Sequence, residues 1–449
     1  MTDAADGLPL PRRYGAIFTI VLAVIVTVLD GAIANVALPT IAADLKVSAS
    51  ASIWVVNAYQ IAIITTLLPF ASLGDSYGYR RVYGAGLVIF TAASLICATA
   101  DTLPMLALGR VLQGAGAAGV FAVNTALLRF IYPRAWFGRA IGINAFVIST
   151  ASATGPTVAA AILSVASWQW LFAINLPIGV IALLMLPSLP RTTGSGHRLD
   201  YFGAVLNALA FGLFITGIGS IAESAARAAI EAFLGIAIGA VLVVRQLARP
   251  FPLLPIDLLR LPRFAYAAAT SCCSFIAYMA AYVALPFHLV TVLGRTPVET
   301  GLLMTPWPLV GGIVSPLSGW LSERHSTAIL CALGLGLFAL GLGLLAALPD
   351  HPSDIDIVWR MALTGGGFAL FQAPNNRAMI IAAPRERSGS ASGMLGTART
   401  LGLTTGASLT ALLLHFLPKS GTTATLAASA AIALAAAGIS SLRRAAGPD

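Results

Sequence analysis

Long apolar runs separated by short polar stretches repeat along the whole chain. The runs lie at 15–38, 51–72, 82–100, 104–127, 140–163, 168–188, 201–221, 229–247, 265–291, 300–321, 327–348, 357–380, 389–416 and 422–441. Each is close to the roughly 20 residues that a helix needs to cross a bilayer. A helix satisfies its own backbone inside hydrocarbon, and the polar/apolar alternation of a membrane barrel is absent. The pattern therefore predicts an all-α polytopic membrane protein with fourteen transmembrane helices. The tight hairpin formed by 201–221 and 229–247 decides between fourteen spans and twelve.

Charge gives this array a direction. With the N-terminus placed in the cytoplasm, 19 of the 26 Lys and Arg residues fall in cytoplasmic segments. Lys46, Arg227, Arg295 and Lys419 fall on the other side, and Arg110, Arg360 and Arg399 fall within spans. Positive loops stay inside, so both termini are expected in the cytoplasm. The expected location is the cytoplasmic (inner) membrane of a bacterium. The net charge of +9 then belongs to loops beside anionic lipid, and no nucleic-acid partner is expected.

Composition agrees. Of 449 residues, 58% are apolar and only 10% charged, against about a quarter charged in soluble domains. Arg12, Arg13 and the apolar run ending near Ala32-Ile33-Ala34 resemble a secretory leader. The length of that run, its interruption by Asp30 and the spans that follow argue instead for a retained first helix. Cys97, Cys272, Cys273 and Cys331 all lie within spans, with neither a disulfide framework nor zinc spacing. No nucleophile–base pattern or phosphate loop is found. No enzyme activity, metal or cofactor is expected, and no loop is long enough to hold an ATP-binding domain.

The chain repeats itself once. "PRAWFGRAIG" at 133–142 returns as "PRERSGSASG" at 384–393, 251 residues later. Asp75 in "ASLGDSYG" answers Glu323 in "GWLSERHS", 248 residues on, and Arg110 answers Arg360, 250 residues on. Three matches in one order point to a duplicated bundle, as in many secondary transporters. The expected division is 1–190 for one six-helix bundle, 191–255 for two additional helices and 256–449 for the second six-helix bundle.

Several motifs resemble the major facilitator superfamily, and within it the 14-span drug:proton antiporters. Leu29-Asp30-Gly31-Ala32-Ile33-Ala34-Asn35-Val36-Ala37-Leu38-Pro39 is similar to that group's first-span L-D-x-T-x-V-N-V-A-L-P. Ala71 to Arg80 follow its G-x-L-A/G-D-R-x-G-R loop, with departures at Ala71, Ser76 and Tyr79. The span-four pattern is present in Leu106, Arg110, Gln113, Gly114, Gly116, Ala117 and Ala118. The span-five antiporter pattern keeps Gly155-Pro156 but has Ala151, Ala159 and Ala160 for glycines. "WQWLFAINLPIG" at 168–179 carries Gln169 where the family has Arg, "LDYFG" at 199–203 resembles the lead into the extra spans, and "RTLGLTTG" at 399–406 resembles the late Arg-containing pattern. The resemblance covers nearly the whole chain. Its motifs are specific for the family and not for the substrate.

Among the 17 acidic residues, Asp30 alone falls deep within a predicted span. It lies roughly 12 Å from the outer end near Leu38, and Arg110 about 9 Å from the outer end of its own span near Pro104, at 1.5 Å per residue. The two thus reach similar depth. Low dielectric favours a neutral acid and a neighbouring guanidinium favours a carboxylate. One proton can then bind or leave as a cavity opens to either side. The resemblance implies proton coupling for this pair. The alternative is a buried ion pair that only fixes helix packing.

Other candidates follow in the same way. The resemblance implies a conformational latch at Gly74, Asp75, Gly78, Arg80 and Arg81, echoed by Glu323, with the carboxylate docking at a helix start of the other half. A solvated turn is the alternative. Gly155-Pro156 should bend its helix. Asn35, Trp54, Asn57, Tyr59, Gln60, Gln113, Asn144, Gln372, Asn375, Asn376 and Arg399 are candidates for lining a midplane substrate cavity, though helix–helix hydrogen bonding also uses such groups.

The expected function is a proton-coupled exporter of small amphipathic molecules, working as a monomer by alternating access, with substrate and protons as its small partners. A proton-linked or facilitative carrier for one polar metabolite is the alternative, and a receptor without flux is a third class. With one deep acid and three arginines at span depth, monocationic, neutral or zwitterionic substrates are expected over dications, with anions allowed.

Overall fold

A computed structural model describes residues 7–133, 136–192, 200–221, 224–247, 256–349, 351–383 and 388–443. Every extended element among the described residues is a helix. The first group comprises α1 (Leu10–Asp44), α2 (Ala49–Ser52), α3 (Trp54–Tyr77), α4 (Tyr79–Ala98), α5 (Leu103–Ile131), α6 (Phe137–Val165), α7 (Trp170–Ala173) and α8 (Asn175–Leu184). A hairpin of α9 (Tyr201–Ser220) and α10 (Ala225–Leu247) follows. The second group comprises α11 (Pro262–Phe287), α12 (Pro297–Met304), α13 (Pro306–Arg324), α14 (Thr327–Ala346), α15 (Asp354–Ala382), α16 (Ser388–Phe416) and α17 (Gly421–Leu442).

Local chemistry sets the helix ends. Thr102 accepts from the Met105 amide to open α5, and Thr296 with Glu299 forms a reciprocal capping box at α12. Three runs expected as single spans are broken in two. Residues 51–72 open with the short α2. The 168–188 run divides at Ile174, because the ring of Pro177 obstructs the carbonyl of Ala173. The 300–321 run divides at Thr305, where Pro306 contributes no amide hydrogen.

Among the described residues, eleven helical segments are long and apolar enough to cross a membrane. The hairpin on which the count turned supplies two of them, Tyr201–Ile218 and Ala226–Leu247. The three expected spans outside the eleven correspond to α13, α15 and α16. These helices are more polar: α15 carries Arg360, Gln372, Asn375, Asn376 and Arg377, and α16 carries Arg399 among serines and threonines.

The internal repeat is visible in how the helices touch. In the first group α5 packs on α3 and α4, and in the second α15 packs on α13 and α14. A methyl at Gly114 would stand 2.3 Å from the Tyr59 carbonyl oxygen, and one at Gly116 2.4 Å from the Phe90 nitrogen. In the second group a methyl at Gly365 would stand 2.0 Å from the Trp307 carbonyl oxygen, and one at Gly367 2.4 Å from the Phe338 nitrogen. Both pairs are 251 positions apart, so each half uses the same small-residue crossings.

The apolar core is asymmetric along the molecule. At the end away from the termini a single cluster joins both groups, with Ile33, Val36 and Leu38 of α1 and Leu285, Leu303 and Trp307 of the second group. Toward the terminal end the core separates. One cluster holds only first-group residues, such as Ile20, Leu87 and Leu127, and another only second-group residues, such as Phe264 and Met379. The α9–α10 hairpin sits at the flank where α3 and α16 meet, and Asn207 donates to the Thr65 carbonyl at 3.1 Å.

Candidate functional site

Asp30 and Arg110 meet. Both are buried, and an Arg110 Nη1 hydrogen bonds to Asp30 Oδ2 as an ion pair. Helix geometry brings them together: α1 and α5 both cross the first group, and the two residues sit at matching depth. Their surroundings are drawn from five helices. Asn175, the first residue of α8, donates to Asp30 Oδ1 at 2.7 Å. Gln113, one turn from Arg110 on α5, donates to the same oxygen at 3.2 Å and to Ser94 Oγ of α4 at 2.8 Å. Arg110 Nε donates to the Val55 carbonyl of α3 at 2.9 Å, and its Nη1 to Gln113 Oε1 at 2.8 Å. The Arg110 guanidinium carbon lies 4.2 Å from the Tyr59 ring centre, and the Tyr59 hydroxyl donates to the Thr27 carbonyl at 3.1 Å.

The carboxylate therefore has three donors and no exposed surface. Asp30 is the only buried acid among the described residues. An ion pair in such a setting is held by its extra hydrogen bonds, because each charge has lost its water. In this conformation the site is a closed junction of α1, α3, α4, α5 and α8 inside the first group. Tyr59 and Gln113, expected as cavity-lining groups, are committed to that junction.

The duplicated half lacks its counterpart. The position 250 after Asp30 is Ala280, and Arg360 pairs instead with Asp356 one turn away at 3.1 Å and with the Leu344 carbonyl. The repeat preserves the backbone crossings and not this charge pair.

The remaining candidates divide. Asn35 donates to the Gly31 carbonyl at 2.8 Å, and the Oδ1 atoms of Asn35 and Asn57 are buried without a partner. Asn144 accepts from Asn124 at 3.0 Å. Asn375 is buried, donates to the Ala267 carbonyl at 3.3 Å and accepts from Arg443. It is engaged between helices. Trp54, Gln60, Gln372 and Asn376 are half-buried and Arg399 is exposed.

In the last turn of α3, Asp75 is exposed and accepts from the Tyr79 hydroxyl of α4 at 2.7 Å, a contact within its own half. Gly78 has a φ of +96°, and a methyl there would stand 2.4 Å from the Thr192 carbonyl oxygen, so the turn requires glycine. Arg80 is half-buried and Arg81 exposed. Glu323 lies in α13, with its side chain outside the described residues.

Gly155 and Pro156 lie within a helix that continues through them. A methyl at Gly155 would stand 2.4 Å from Ala32 Cβ, and one at Gly301 of α12 would stand 2.6 Å from the Pro156 carbonyl oxygen. Beside them, Thr157 Oγ1 and Thr305 Oγ1 are 2.7 Å apart. The motif thus stands where α6 touches both α1 and the second group, at the end where the core is shared.

Sequence reasoning missed Asn175 and Ser94. Asn175 stood inside the quoted "WQWLFAINLPIG", as a lone amide in an apolar segment and therefore a group in need of a partner. Nothing in the sequence pointed to Ser94.

Residues 20–407 match the family described as the Major Facilitator Superfamily. The chain belongs to that family. It is a membrane transporter, not an enzyme. It is 55% identical over 444 residues to YebQ, an uncharacterized transporter of Escherichia coli, which spans 98% of this chain and 97% of that one. It is 28% identical over 402 residues to the riboflavin transporter RibZ of Clostridioides difficile, 88% of this chain and 87% of the other. It is 32% identical over 385 residues to the multidrug resistance protein Stp of Mycobacterium tuberculosis, 84% of this chain and 71% of the other. The fold matches a bacterial homologue of the human lysosomal transporter Spinster, with a TM-score of 0.71 across 97% of each chain at 15% identity.

Proposed function

We propose that this transporter exports small amphipathic molecules by alternating access, driven by protons exchanged at Asp30. The observation that carries the reading is the isolation of Asp30: the one buried acid among the described residues, held by Arg110, Gln113 and Asn175, in a family of transporters. A proton arriving on Asp30 cancels the charge that holds Arg110. Five helices then have reason to shift together, and binding at the site is linked to the arrangement of the first bundle. The similarity to Stp, named for multidrug resistance, supports a broad substrate range.

The architecture that goes with this reading has fourteen spans, with 1–190 and 256–449 as the two bundles and 191–255 as the additional pair. Both termini face the cytoplasm of a bacterial inner membrane, and the protein works as a monomer. Helices α13, α15 and α16 complete the count, their polar groups being turned toward protein or cavity and not toward lipid. The core shared at the far end and divided at the terminal end supports a cavity open toward the cytoplasm in this conformation. The α3–α4 junction, with Gly74, Asp75, Gly78, Arg80 and Arg81, and Glu323 would latch in the opposite one.

The test is flux in proteoliposomes under an imposed pH step, with Asp30→Asn alongside the wild type. Proton-driven transport is expected to vanish in the variant while the protein still inserts. Undiminished uphill transport by Asp30→Asn overturns the coupling role. The similarity to RibZ, named for riboflavin, favours a second reading, a carrier for one metabolite. A substrate screen under the same pH step separates the two.

A further inference from the structure

Arg399 lies eleven residues into the 29-residue α16 and is exposed. Among the described residues it has no salt bridge, and its guanidinium carbon lies 5.5 Å from the centre of the Phe275 ring on α11. An arginine at span depth is costly to hold unless it meets water or a counter-charge. Its side of α16 is not the lipid side. Gly402 and Gly406, one and two turns on along the same face, press against α11, where a methyl at either would stand 2.6 Å from the Cys272 carbonyl oxygen or 2.4 Å from that of Ile276. Arg399 therefore stands over α11, on the side of α16 that faces a neighbouring helix of its own bundle.

A second observation lies beside it. Tyr278, one turn from Phe275, is half-buried and opens an aromatic wall. Its ring is stacked on Tyr282 at 5.6 Å with 9° between planes, lies 4.6 Å from Phe368 and meets the Trp307 ring edge-on at 5.5 Å. The indole N–H of Trp307 is buried and has no acceptor. A guanidinium and an indole N–H without acceptors flank a wall of rings. Asp30, the one buried acid among the described residues, is already neutralised by Arg110 and closed off.

We infer that the second bundle carries a binding site for flat aromatic molecules bearing an acidic or acceptor-rich group, with Arg399 taking the acid and the open part of Tyr278 taking the ring. The pairing follows from charge and shape. The anion supplies the counter-charge that Arg399 lacks, in a guanidinium–acid contact strengthened by low dielectric. The ring gains edge-to-face and stacked contacts with the wall. This substrate class rests on the transport reading above and narrows it. It takes up the anions that the expectation from the sequence allowed and places them ahead of the monocations.

The test reads binding without any gradient, so its failure is separate from a failure of proton coupling. Purified protein in detergent is titrated with three pyrene probes that share one ring system: 1-pyrenesulfonate, 1-pyrenemethanol and 1-pyrenemethylammonium. The anion is expected to bind about ten-fold more tightly than the cation, the scale of one hydrogen-bonded charge contact. Arg399→Gln should remove that preference and leave the neutral probe unchanged, and Arg399→Lys should keep most of it. Tyr278→Leu should weaken all three probes. Unaltered thermal unfolding of Arg399→Gln would confirm that the variant is folded. Equal binding of anion and cation by the wild type, or an undiminished anion preference in folded Arg399→Gln, overturns the assignment.

Discussion

Asn175 and Asp30, 145 residues apart in sequence, are joined by a 2.7 Å hydrogen bond that ties α8 to the buried acid of α1. The bond makes the sixth expected span a participant in the charged junction. Replacing Asn175 with Ala leaves one carboxylate oxygen short of a donor, at a cost of about 1–3 kcal/mol. Thermal unfolding in detergent should fall for Asn175→Ala, and Asn175→Leu should do no better. An unchanged midpoint would show that the contact contributes nothing to the fold.

The Asp30–Arg110 pair should be costlier to break than to erase. Asp30→Leu or Arg110→Met alone strands a buried charge, at about 3–5 kcal/mol. The double variant removes both charges and should be more stable than either single one. A double-variant cycle by thermal or denaturant unfolding reads this coupling. Strict additivity of the two losses would show that the charges do not act as a unit.

The mirrored glycine crossings should fail equally. Gly116→Val and Gly367→Val each force a side chain against backbone that a methyl would already meet at 2.4 Å, and both should reduce the folded yield on size-exclusion chromatography. Gly336→Val, where a methyl meets nothing within 4 Å, serves as the tolerant control. If Gly367→Val behaves like the control, the two halves do not share this packing device.

Thr157 and Thr305 offer a lock across the bundles. In a background with Cys97, Cys272, Cys273 and Cys331 replaced, Thr157→Cys with Thr305→Cys should oxidise readily, because the wild-type hydroxyls are 2.7 Å apart. Transport should stop on oxidation and return on reduction. Full activity in the oxidised protein would exclude a separation of the bundles at this end during turnover.

The span count can be settled by reporter fusions. Reporters near Ala225 and near Lys419 should both read outside, and one near Gly194 inside. An inside signal at Ala225 would leave a twelve-span protein.

Much of this arrangement was legible in the chain, for identifiable reasons. Apolar runs report helices directly. The meeting of Asp30 and Arg110 followed from equal depth on antiparallel spans, because rise per residue converts sequence position into height. The repeat was legible in its loops, and the paired glycines carry it into the helix crossings. Rotation about each helix axis was not legible. Asn375 and Tyr59 read as cavity-lining groups, yet packing turns Asn375 toward Ala267 and Arg443, and Tyr59 toward Arg110. The cluster of Tyr278, Tyr282 and Trp307 left no trace because Trp307 comes from a different helix from the two tyrosines. The helix breaks were written in Pro177 and Pro306, whose effect is masked when only hydropathy is followed.

The core shared at one end gives the transporter a thermal character. In the alternating-access cycle proposed above, exchanging the open and closed ends would require that cluster to part and its apolar side chains to meet water, which raises the heat capacity. The equilibrium between the two arrangements is then curved in temperature, and cooling loosens the seal as apolar association weakens. Turnover measured in a bilayer far from its melting transition should bend away from a straight Arrhenius line for that reason alone.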